Sequence, residues 1–568
     1  MNPNAPSFVP GVGLVYTDDA KAPEKRFPAS SQPSSDCSDS KGHDIGEEDA
    51  CQLRDVSIDI SEPRQSSSSD AVLKDDESQV CATQAVVEET EASAPNAATL
   101  KSTQENSSID EAQEKPEGDK AVPAVSGEQN KTLEHVSIIF LGHVDSGKST
   151  TSGQILWQTG MITERIIEKY TKEAVERKHT SWFLSYIMDA LEEERSKGKT
   201  IEVGRARFLS SKRRYTILDA PGHKNYVPNM LVGLCQADIA ILIISARKGE
   251  FESGFEKNGQ TREHVFLARA MGIRSLIICI NKMDDPTVNW SKTRYDDLVK
   301  KIVPFLQNTR YNIKRDVSII PISGQLGYNI KTRIDASVCP WYTGNSLIET
   351  LDSLPCSPRD PSAPLRMPIL DRIKDMGIIA MGKIEQGTVV KNRQYVVVPG
   401  NAEVEITKIE TEESVDSVAA GEIAHLTLKI ADESQIARGS VICDAKSLVN
   451  TATDFVAQVV ITDLPSNKVL ITSGSAVMLH IHAVVTEASF VRILVELDKK
   501  TGEVVKKLPK FARVKSVINV HIQVPTPIPI EVFKEMPQLG RFVIRDEDTT
   551  VGFGQVIHLG APRLKRGN

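Results

Sequence analysis

A glycine-rich stretch at residues 142–149 reads Gly-His-Val-Asp-Ser-Gly-Lys-Ser and has the form GxxxxGK[ST]. An apolar run at 136–141 precedes it, and a helical pattern at 150–158 follows it. In such a strand–loop–helix arrangement, successive backbone N–H groups converge on one anion at the N-terminus of the helix. The stretch therefore predicts a phosphate-binding loop.

Each residue type in this loop has a chemical role. Gly142 and Gly147 let the backbone curl around phosphate oxygens. Lys148 reaches the β and γ oxygens, and the Ser149 hydroxyl is a ligand for a Mg²⁺ ion that bridges them. The other loop residues that we expect to line the nucleotide are Asp145, Ser146 and Thr150.

Strand and helix patterns alternate through residues 131–363. We predict strands at 136–141, 215–218, 239–245, 275–280 and 317–322. Helical patterns occupy 261–271, 294–308 and 346–351. This alternation predicts an α/β domain whose mostly parallel sheet carries helices on both faces.

After residue 363 the pattern changes to short β-branched runs with a turn about every ten residues. Such runs, without strong helical patterns, predict two antiparallel β-barrels, at 364–450 and 454–561. His480 and His482 are two positions apart in one predicted strand and would share a face, but no third metal ligand lies near them in the sequence.

The chain ahead of the α/β domain is acidic. Residues 11–130 contain 26 Asp and Glu against 10 Lys and Arg, a net charge of −16. Residues 1–10 are uncharged and the whole chain is −8, so residues 131–568 carry +8. The segment 18–130 is rich in Ser, Asp, Glu and Ala and almost free of aromatic residues, which predicts disorder. A positively charged segment, 131–568, behind a negatively charged tail is compatible with a protein that functions close to RNA.

The spacing of the cysteines and the length of the apolar runs indicate in which cellular compartment the protein is expected. None of the eight cysteines forms a CxxC pair, which indicates reduced thiols and no zinc site. No apolar run reaches the ~18 residues that a membrane span needs, and the N-terminus does not have the pattern of a secretory signal. We therefore expect a cytoplasmic protein without a membrane segment, monomeric in the free state.

Residues 281–284, Asn-Lys-Met-Asp, follow a predicted strand directly and indicate which base is bound. Asn281 and Asp284 would lie at the carboxyl end of that strand, where open α/β sheets bind ligands. The Asp284 carboxylate accepts hydrogen bonds from guanine N1–H and from the exocyclic amine, a donor pair that adenine lacks. Lys282 would cover the base with its aliphatic stem, while Ser323 and Gly324 would offer a backbone donor to guanine O6. The predicted ligand is thus GTP or GDP.

Two further segments predict a γ-phosphate switch. Asp219-Ala-Pro-Gly222 follows a predicted strand, which suits a carboxylate that holds Mg²⁺ while the Gly222 N–H touches the γ-phosphate. The next residue, His223, would position the attacking water. Thr200 lies in a charged segment, 192–203, and its hydroxyl would complete the Mg²⁺ shell only while the γ-phosphate is present.

Four of these segments together resemble one family. With the phosphate loop at 142–150, Asp-Ala-Pro-Gly-His-Lys at 219–224, Gly-Gln-Thr-Arg-Glu-His at 259–264 and Asn-Lys-Met-Asp at 281–284, the chain resembles the translational GTPases that deliver a tRNA-shaped partner to the ribosome. The resemblance covers about 131–560 and implies a GTPase that uses Mg²⁺. It also implies that the ribosome stimulates slow intrinsic hydrolysis, with catalytic roles for Lys148, Thr200 and His223.

Within that family, four stretches look most like the eukaryotic class II release factor: 197–204, 249–260, 283–291 and 339–342. This resemblance implies that the protein binds the class I release factor and the GTPase-activating centre of the ribosome, and couples GTP hydrolysis to stop-codon-dependent termination. One alternative is a ribosome-rescue or aminoacyl-tRNA-delivering GTPase. A second alternative is a GTP-dependent adaptor that recruits poly(A)-binding protein.

The N-terminal region, 1–17, contains a separate signal. Residues 2–10 read Asn-Pro-Asn-Ala-Pro-Ser-Phe-Val-Pro and are similar to the peptide by which several translation proteins dock on poly(A)-binding protein. Phe8 would be an aromatic anchor on a proline-stiffened segment that loses little entropy on binding.

Overall fold

A computed structural model of the chain describes residues 133–562, except 179, 190–193, 195–199, 257–258, 357–358, 376, 412–413, 431 and 500. The predicted acidic tail and the predicted motif for poly(A)-binding protein lie outside the described residues. Among the described helices, none is both long and apolar enough to cross a membrane.

The first domain is built on a six-stranded sheet in the order β2-β3-β1-β4-β5-β6. Its strands are β1 (Glu134–Leu141), β2 (Gly204–Leu209), β3 (Arg213–Asp219), β4 (Ile239–Ser245), β5 (Ser275–Asn281) and β6 (Val317–Pro321). All neighbours pair in parallel except β2, which is antiparallel to β3. The five strands predicted from sequence are present. The edge strand β2 has a weaker sequence pattern, because its residues alternate between arginine and apolar side chains and only one of them is fully buried.

The helices of this domain pack on the two faces of the sheet. They are α1 (Lys148–Gln158), α2 (Glu164–Glu176), α3 (Val227–Gln236), α4 (Glu250–Phe255), α5 (Gln260–Ala270), α6 (Lys292–Asn308), α7 (Ile313–Asp316) and α8 (Leu347–Ser353). The predicted helices at 261–271, 294–308 and 346–351 correspond to α5, α6 and α8. A capping box starts α8, in which the Glu349 N–H donates to Ser346 Oγ (3.3 Å) and the Ser346 N–H donates to Glu349 Oε2 (3.0 Å).

The core of the domain follows the two-residue period of its strands. Ile239, Ile241 and Ile243 of β4 belong to the apolar cluster on one face of the sheet. Ala240 and Leu242 belong to the cluster on the other face. Every residue of β4 is buried, as in parallel sheets that are covered on both sides.

The second domain is a closed antiparallel barrel in the order β10-β11-β13-β8-β7-β14, closed by the pairing of β10 with β14. Its strands, with the separate two-stranded sheet of β9 and β12, are β7 (Arg366–Asp375), β8 (Gly377–Lys383), β9 (Thr388–Val390), β10 (Gln394–Val398), β11 (Ala402–Glu410), β12 (Ser417–Ala419), β13 (Ile423–Lys429) and β14 (Val441–Cys443). We call this domain the middle barrel.

The third domain, the last barrel, is a ring of six strands in the order β17-β22-β23-β15-β21-β18, closed by β17 against β18. Strand β19 extends the sheet beyond the ring by pairing with β18. The elements are β15 (Thr451–Ile461), β16 (Ile471–Thr472), β17 (Ala476–Ile481), β18 (Val484–Leu497), β19 (Val504–Lys507), β20 (Phe511–Ala512), β21 (Val517–Pro529), α9 (Pro537–Gly540), β22 (Arg541–Asp546) and β23 (Thr549–Leu559).

One sequence expectation fails in this barrel. Strand β17 ends at Ile481, and His482 follows it in the turn to β18 with a φ of 51°. His480 and His482 therefore do not share a strand face. Among the described residues, no group of three His, Cys, Asp or Glu side chains is arranged to hold a metal ion.

A buried carboxylate joins the first domain to the middle barrel. Asp238, between α3 and β4, accepts hydrogen bonds from Lys383 Nζ (2.7 Å), Arg359 Nη2 (2.9 Å) and the Ser137 N–H (2.9 Å). Lys383 Nζ also donates to the Gln236 carbonyl (2.8 Å). Burial acts to raise the pKa of Asp238, but Lys383 and Arg359 outweigh it and hold the pKa below its usual value.

Helix α5 joins the first domain to the last barrel. Arg541 Nη1 donates to the carbonyl of Met271, the residue after α5 (2.7 Å). Thr550 Oγ1 donates to Glu263 Oε1 within the helix (2.6 Å). The side of the last barrel that contacts α5 is thus formed by β22 and β23.

Candidate nucleotide-binding site

The loop at 142–149 leads from β1 into α1 and adopts a backbone that only glycine can follow at two positions. The φ angles of Gly142 and Gly147 are 145° and 96°. A Cβ atom on Gly142 would lie 2.3 Å from the Ile243 carbonyl oxygen, and one on Gly147 would lie 2.3 Å from Asn281 Nδ2. The two glycines therefore provide space for neighbouring strands as well as curvature for the loop.

Lys148 lies buried at the start of α1 and donates to the His143 carbonyl across the loop (3.0 Å). Burial lowers the pKa of Lys148, while the charge of Asp219 acts in the opposite direction. Gly222 runs directly past this amine, since a Cβ atom there would lie 2.5 Å from Lys148 Nζ. The structure thus brings Gly222 and the phosphate loop together, as the sequence predicts.

The three predicted Mg²⁺ ligands lie in segments that meet at the start of α1. Ser149 Oγ is 3.2 Å from Thr200 Oγ1, which is 3.5 Å from Asp189 Oδ1. Asp219 at the end of β3 is fully buried, and neither of its carboxylate oxygens accepts a hydrogen bond of normal geometry from the described residues. Burial raises the pKa of Asp219 to about 6, although Lys148 opposes the shift. A buried carboxylate without a partner is costly, so this set of oxygens fits a hard divalent cation.

His223 heads a short turn after Gly222. Its Nδ1 accepts from the Asn225 N–H (3.3 Å), and its ring centre is 5.9 Å from that of Tyr226. The side chain is half-buried. Both contacts lie within its own turn, so the water-positioning role of His223 stays a prediction.

Asn281 at the end of β5 connects two loops instead of standing free for a ligand. Its Nδ2 donates to the Ser146 carbonyl (2.9 Å), and its Oδ1 accepts from the Gly324 N–H (2.8 Å). The Gly324 N–H is therefore engaged and not available to a base, contrary to the sequence expectation. Ser323 is buried and its Oγ accepts from the Leu326 N–H (3.2 Å), which shapes the same loop.

Lys282 and Asp284 flank the buried Met283 in the loop after β5. Lys282 has a φ of 61°, and its Nζ donates to Glu250 Oε2 (2.7 Å). Ser245 Oγ donates to the same oxygen (2.7 Å). Burial acts to raise the pKa of Glu250, but these hydrogen bonds outweigh it and hold the pKa below its usual value. Asp284 is half-buried beside this arrangement.

Comparisons with known proteins agree with this geometry. The family described as elongation factor Tu GTP binding domain matches residues 133–357, which include the loops described above. The family described as GTP-eEF1A C-terminal domain-like matches residues 454–557, within the last barrel.

Two curated relatives decide the branch. A protein of Kluyveromyces lactis named eukaryotic peptide chain release factor GTP-binding subunit is 47% identical over 428 residues, 75% of this chain and 61% of that protein. The protein of the same name in Schizosaccharomyces pombe is 47% identical over 429 residues, 75% of this chain and 64% of that protein. The chain belongs to this family. The family resemblance inferred from the sequence is confirmed, and the chain spans 61–64% of the length of these two relatives.

A solved structure supports the fold of the chain. The Ski7 GTPase-like domain of S. cerevisiae, bound to GTP, aligns with a TM-score of 0.62 at 16% identity over 75% of this chain and 97% of that one. At that identity the likeness concerns the fold alone. The α/β domain followed by two antiparallel barrels is therefore as predicted.

One residue that holds the phosphate loop has no role assigned to it from the sequence. His264 of α5 is fully buried, and its Nδ1 accepts from the Gly142 N–H (3.1 Å). Burial lowers the pKa of His264 to about 3, so the ring is neutral and Nδ1 remains an acceptor. His264 is the last residue of the segment 259–264, which contributes to the family resemblance but has no role of its own in the sequence analysis. Its neighbour Glu263 is the residue that binds Thr550 of the last barrel.

Three of the four release-factor-like stretches pack together beside residues 281–284. Trp341 Nε1 donates to the Trp290 carbonyl (2.7 Å), which joins the stretch 339–342 to the stretch 283–291. Arg294 Nη1 donates to Glu252 Oε1 (3.1 Å) and so holds α4, in the stretch 249–260, to the start of α6. The stretch 249–260 also reaches residues 281–284 directly, because Lys282 Nζ donates to Glu250 Oε2 (2.7 Å). The fourth stretch, 197–204, is described only from Thr200 onward.

Proposed function

We propose that this protein is a GTPase of translation termination, which binds a class I release factor and couples GTP hydrolysis on the ribosome to stop-codon-dependent peptide release. The observation that carries the proposal is the 47% identity over 428 residues to a protein named eukaryotic peptide chain release factor GTP-binding subunit. The reaction converts GTP and water to GDP and phosphate, and the protein acts in the cytoplasm as a monomer in the free state.

Guanine recognition rests on the loop after β5. Asp284 accepts from N1–H and from the exocyclic amine of the base. Lys282 covers the base while Glu250 holds its ammonium group in place. Because Asn281 engages the Gly324 N–H, we assign the donor to O6 to the N–H of Gln325, for which the described part of the chain provides no hydrogen-bond acceptor.

Phosphate binding rests on the loop at 142–149 and the oxygens beside it. Ser149, Thr200 and Asp219 would hold Mg²⁺, which when bound neutralises charge on the β and γ phosphates. Lys148 supplies a second positive charge from a buried position. Neither carboxylate oxygen of Asp219 accepts a hydrogen bond of normal geometry from the described residues, which supports this assignment because a metal ion would satisfy both.

Hydrolysis requires an ordered water, and we assign its positioning to His223. The imidazole is half-buried, and the two contacts that it makes with described residues both lie within its own turn, so it can be reoriented without disturbing the core. On the ribosome, such reorientation would complete the site. Supply of a missing positioning group raises turnover by up to about 10⁵-fold in GTPases.

The partner assignment distinguishes three branches of translational GTPases. The stretches 249–260, 283–291 and 339–342 resemble the release factor more than the rescue and aminoacyl-tRNA-delivering branches. We assign much of the surface for the class I factor to the last barrel. Its β22 and β23 contact α5, and α5 contacts the phosphate loop through His264. A partner bound to the last barrel is therefore connected to the phosphate loop through one helix.

The decisive experiment measures ribosome-stimulated GTP hydrolysis by the full chain. Purified class I release factor, ribosome-rescue factor and aminoacyl-tRNA are added in separate reactions. Stimulation by the class I factor alone is expected. Stimulation by either of the others without an effect of the class I factor would show that the protein belongs to a different step of translation.

The catalytic assignment is tested with His223→Ala. We expect stimulated turnover to fall by at least ~100-fold with little change in GTP affinity, since a water-positioning group acts mainly in the transition state. Asn225→Ala is the matched control, because Asn225 is exposed in the same turn and its contact with His223 is made by the backbone. Equal turnover in the two variants would remove His223 from the mechanism.

A second candidate function is recruitment of poly(A)-binding protein through residues 2–10, favoured by their Asn-Pro-Asn-Ala-Pro-Ser-Phe-Val-Pro sequence. We expect Phe8→Ala to abolish capture by that protein and to leave GTP hydrolysis unchanged. If Phe8→Ala has no effect on capture, the segment is not the binding peptide. If His223→Ala leaves termination intact in the same assay series, the adaptor role becomes the principal one.

A further inference from the structure

The last barrel carries a hairpin that projects beyond its closed ring. We call residues 499–515 the basic hairpin; they follow β18 and include β19, which forms a hairpin with β18, and β20, which pairs with β16. All four residues of β19 are exposed, and the strand pairs with β18. The barrel contacts α5 through β22 and β23, which are not neighbours of β18 in the ring. The hairpin is therefore open to solvent on the described structure.

The charge of the basic hairpin is concentrated and unbalanced. Its 17 residues contain seven Lys and Arg and a single Glu, a net charge of +6, whereas the whole of 131–568 carries +8. The six of these cations that the structure describes are all exposed: Lys499, Lys506, Lys507, Lys510, Arg513 and Lys515. None of the six has a carboxylate of a described residue within 4.0 Å. The nearby Asp498 is used within the turn, where it accepts from the Thr501 N–H (2.9 Å).

An exposed aromatic ring lies among these cations. Phe511 is 38% exposed. Lys506 Nζ is 5.9 Å and Arg513 Cζ is 5.3 Å from the centre of its ring. Val505 and Leu508 are exposed beside it, at 65% and 51%. Cations grouped around an accessible ring combine charge attraction with a flat apolar surface.

The composition of the hairpin selects its ligand. Protein–protein interfaces are depleted in lysine, whereas five of the six described cations here are lysines. Surfaces that bind nucleic acid gain affinity by releasing counterions from phosphates, and they add stacking of bases on aromatic side chains. We propose that the basic hairpin of the last barrel binds RNA, with its lysines on the phosphate backbone and Phe511 stacked on an unpaired base. This site is separate from the nucleotide site and does not require GTP.

The test uses the full chain with GDP and a fluorescent single-stranded RNA, with anisotropy measured between 50 and 200 mM salt. The hairpin variant is Lys506→Gln/Lys507→Gln/Lys510→Gln. Its matched control is Lys212→Gln/Lys292→Gln/Lys314→Gln, which removes the same charge from exposed lysines of the first domain. The hairpin variant should lose about tenfold or more in affinity, and its slope of log K against log salt should shrink by roughly 2, since each single-stranded phosphate contact contributes about 0.7.

A second variant separates stacking from charge. Phe511→Leu keeps every cation. It should lower the affinity for single-stranded RNA by about tenfold and leave the affinity for a fully paired duplex of equal length nearly unchanged. A polyglutamate peptide is the probe for an acidic protein partner. Equal RNA binding by the hairpin variant and the control would overturn the proposal. A hairpin variant that loses binding of polyglutamate but keeps binding of RNA would also overturn the proposal. Because no ribosome or release factor is present, either failure leaves the proposed GTPase activity untouched.

Discussion

Replacement of Asp238 by asparagine provides a sensitive test of how the first domain and the middle barrel are held together. The carboxylate is 11% exposed and Lys383 only 6% exposed, at a distance of 2.7 Å. Asparagine keeps the shape of the side chain and one acceptor but removes the negative charge. Lys383 and Arg359 would then share one neutral acceptor, and Lys383 would keep its hydrogen bond to the Gln236 carbonyl.

The expected loss follows from the burial of both charges. Removal of one partner of a buried ion pair costs about 3–5 kcal/mol, and the acceptor that asparagine keeps puts Asp238→Asn near ~3 kcal/mol. At about 2–4 °C per kcal/mol, this corresponds to a fall of roughly 6–12 °C in Tm. Thermal unfolding of the full chain with GDP, followed by tryptophan fluorescence, measures the shift.

The matched control is an exposed pair of equal length. Lys374 and Glu433 of the middle barrel are 2.7 Å apart with side chains 79% and 49% exposed. Glu433→Gln should cost less than ~1 kcal/mol, because exposed pairs gain little over hydration. A Tm shift for Asp238→Asn no larger than that for Glu433→Gln would refute the reasoning.

The pH dependence of stability gives an independent reading of the same carboxylate. The folded pKa of Asp238 lies below its unfolded value of about 3.9. Its contribution is therefore fully present above that unfolded value and disappears as the pH falls through the lower folded pKa. Between pH 5 and pH 3, the free energy of unfolding of Asp238→Asn should fall less than that of the wild-type chain. Parallel plots of this free energy against pH for the two proteins would contradict the assignment.

The remaining predictions concern the nucleotide site and use nucleotide-binding titrations. Asn281→Ala should weaken GTP and GDP equally, by about tenfold or more, because it releases two loops at once. His264→Leu should speed GDP release by roughly 5–100-fold, because it leaves the Gly142 N–H buried without an acceptor. Asp284→Asn should abolish the preference for guanine over adenine nucleotides while the fold is retained. Mg²⁺ affinity should fall as the pH drops below about 6, because protonated Asp219 is a poor ligand.

Each of these has an outcome that would contradict it. A change in the ratio of GTP to GDP affinity in Asn281→Ala would mean that Asn281 contacts the γ-phosphate side of the site. GDP release that is unchanged in His264→Leu would show that the helix does not support the loop. Retained guanine preference in Asp284→Asn, or a flat Mg²⁺ affinity from pH 8 to 5, would remove the respective residue from its role.

The sequence predicts the parts of the site that are contiguous in the chain. The phosphate loop, the strand before it and the Asn-Lys-Met-Asp segment are local patterns in a fixed register, so their type and place follow from spacing alone. Asn281 shows the limit of this approach. A motif identifies the residue but not its partner, and here both ends of its amide are bonded to protein.

The residues that sequence reasoning missed act across long separations. His264 reaches Gly142 over 122 positions, and Lys383 reaches Asp238 over 145 positions. The periodicity of a sequence is a local pattern and does not predict such pairs, since neither partner stands out within its own segment. Glu250 is missed for a related reason, because its charge would suit a solvated helix start until the structure places Lys282 beside it.

Helix α5 bears on the construction of chimaeras between related proteins. Consecutive residues of this helix, Glu263 and His264, bind the last barrel and the phosphate loop, and Met271 just beyond its end binds the barrel again. A graft that exchanges the last barrel at residue 454 would leave this helix with a foreign partner. The transplantable unit is the barrel together with residues 260–271. Donor sequences should therefore be joined in two places, with the helix and the barrel taken from the same parent.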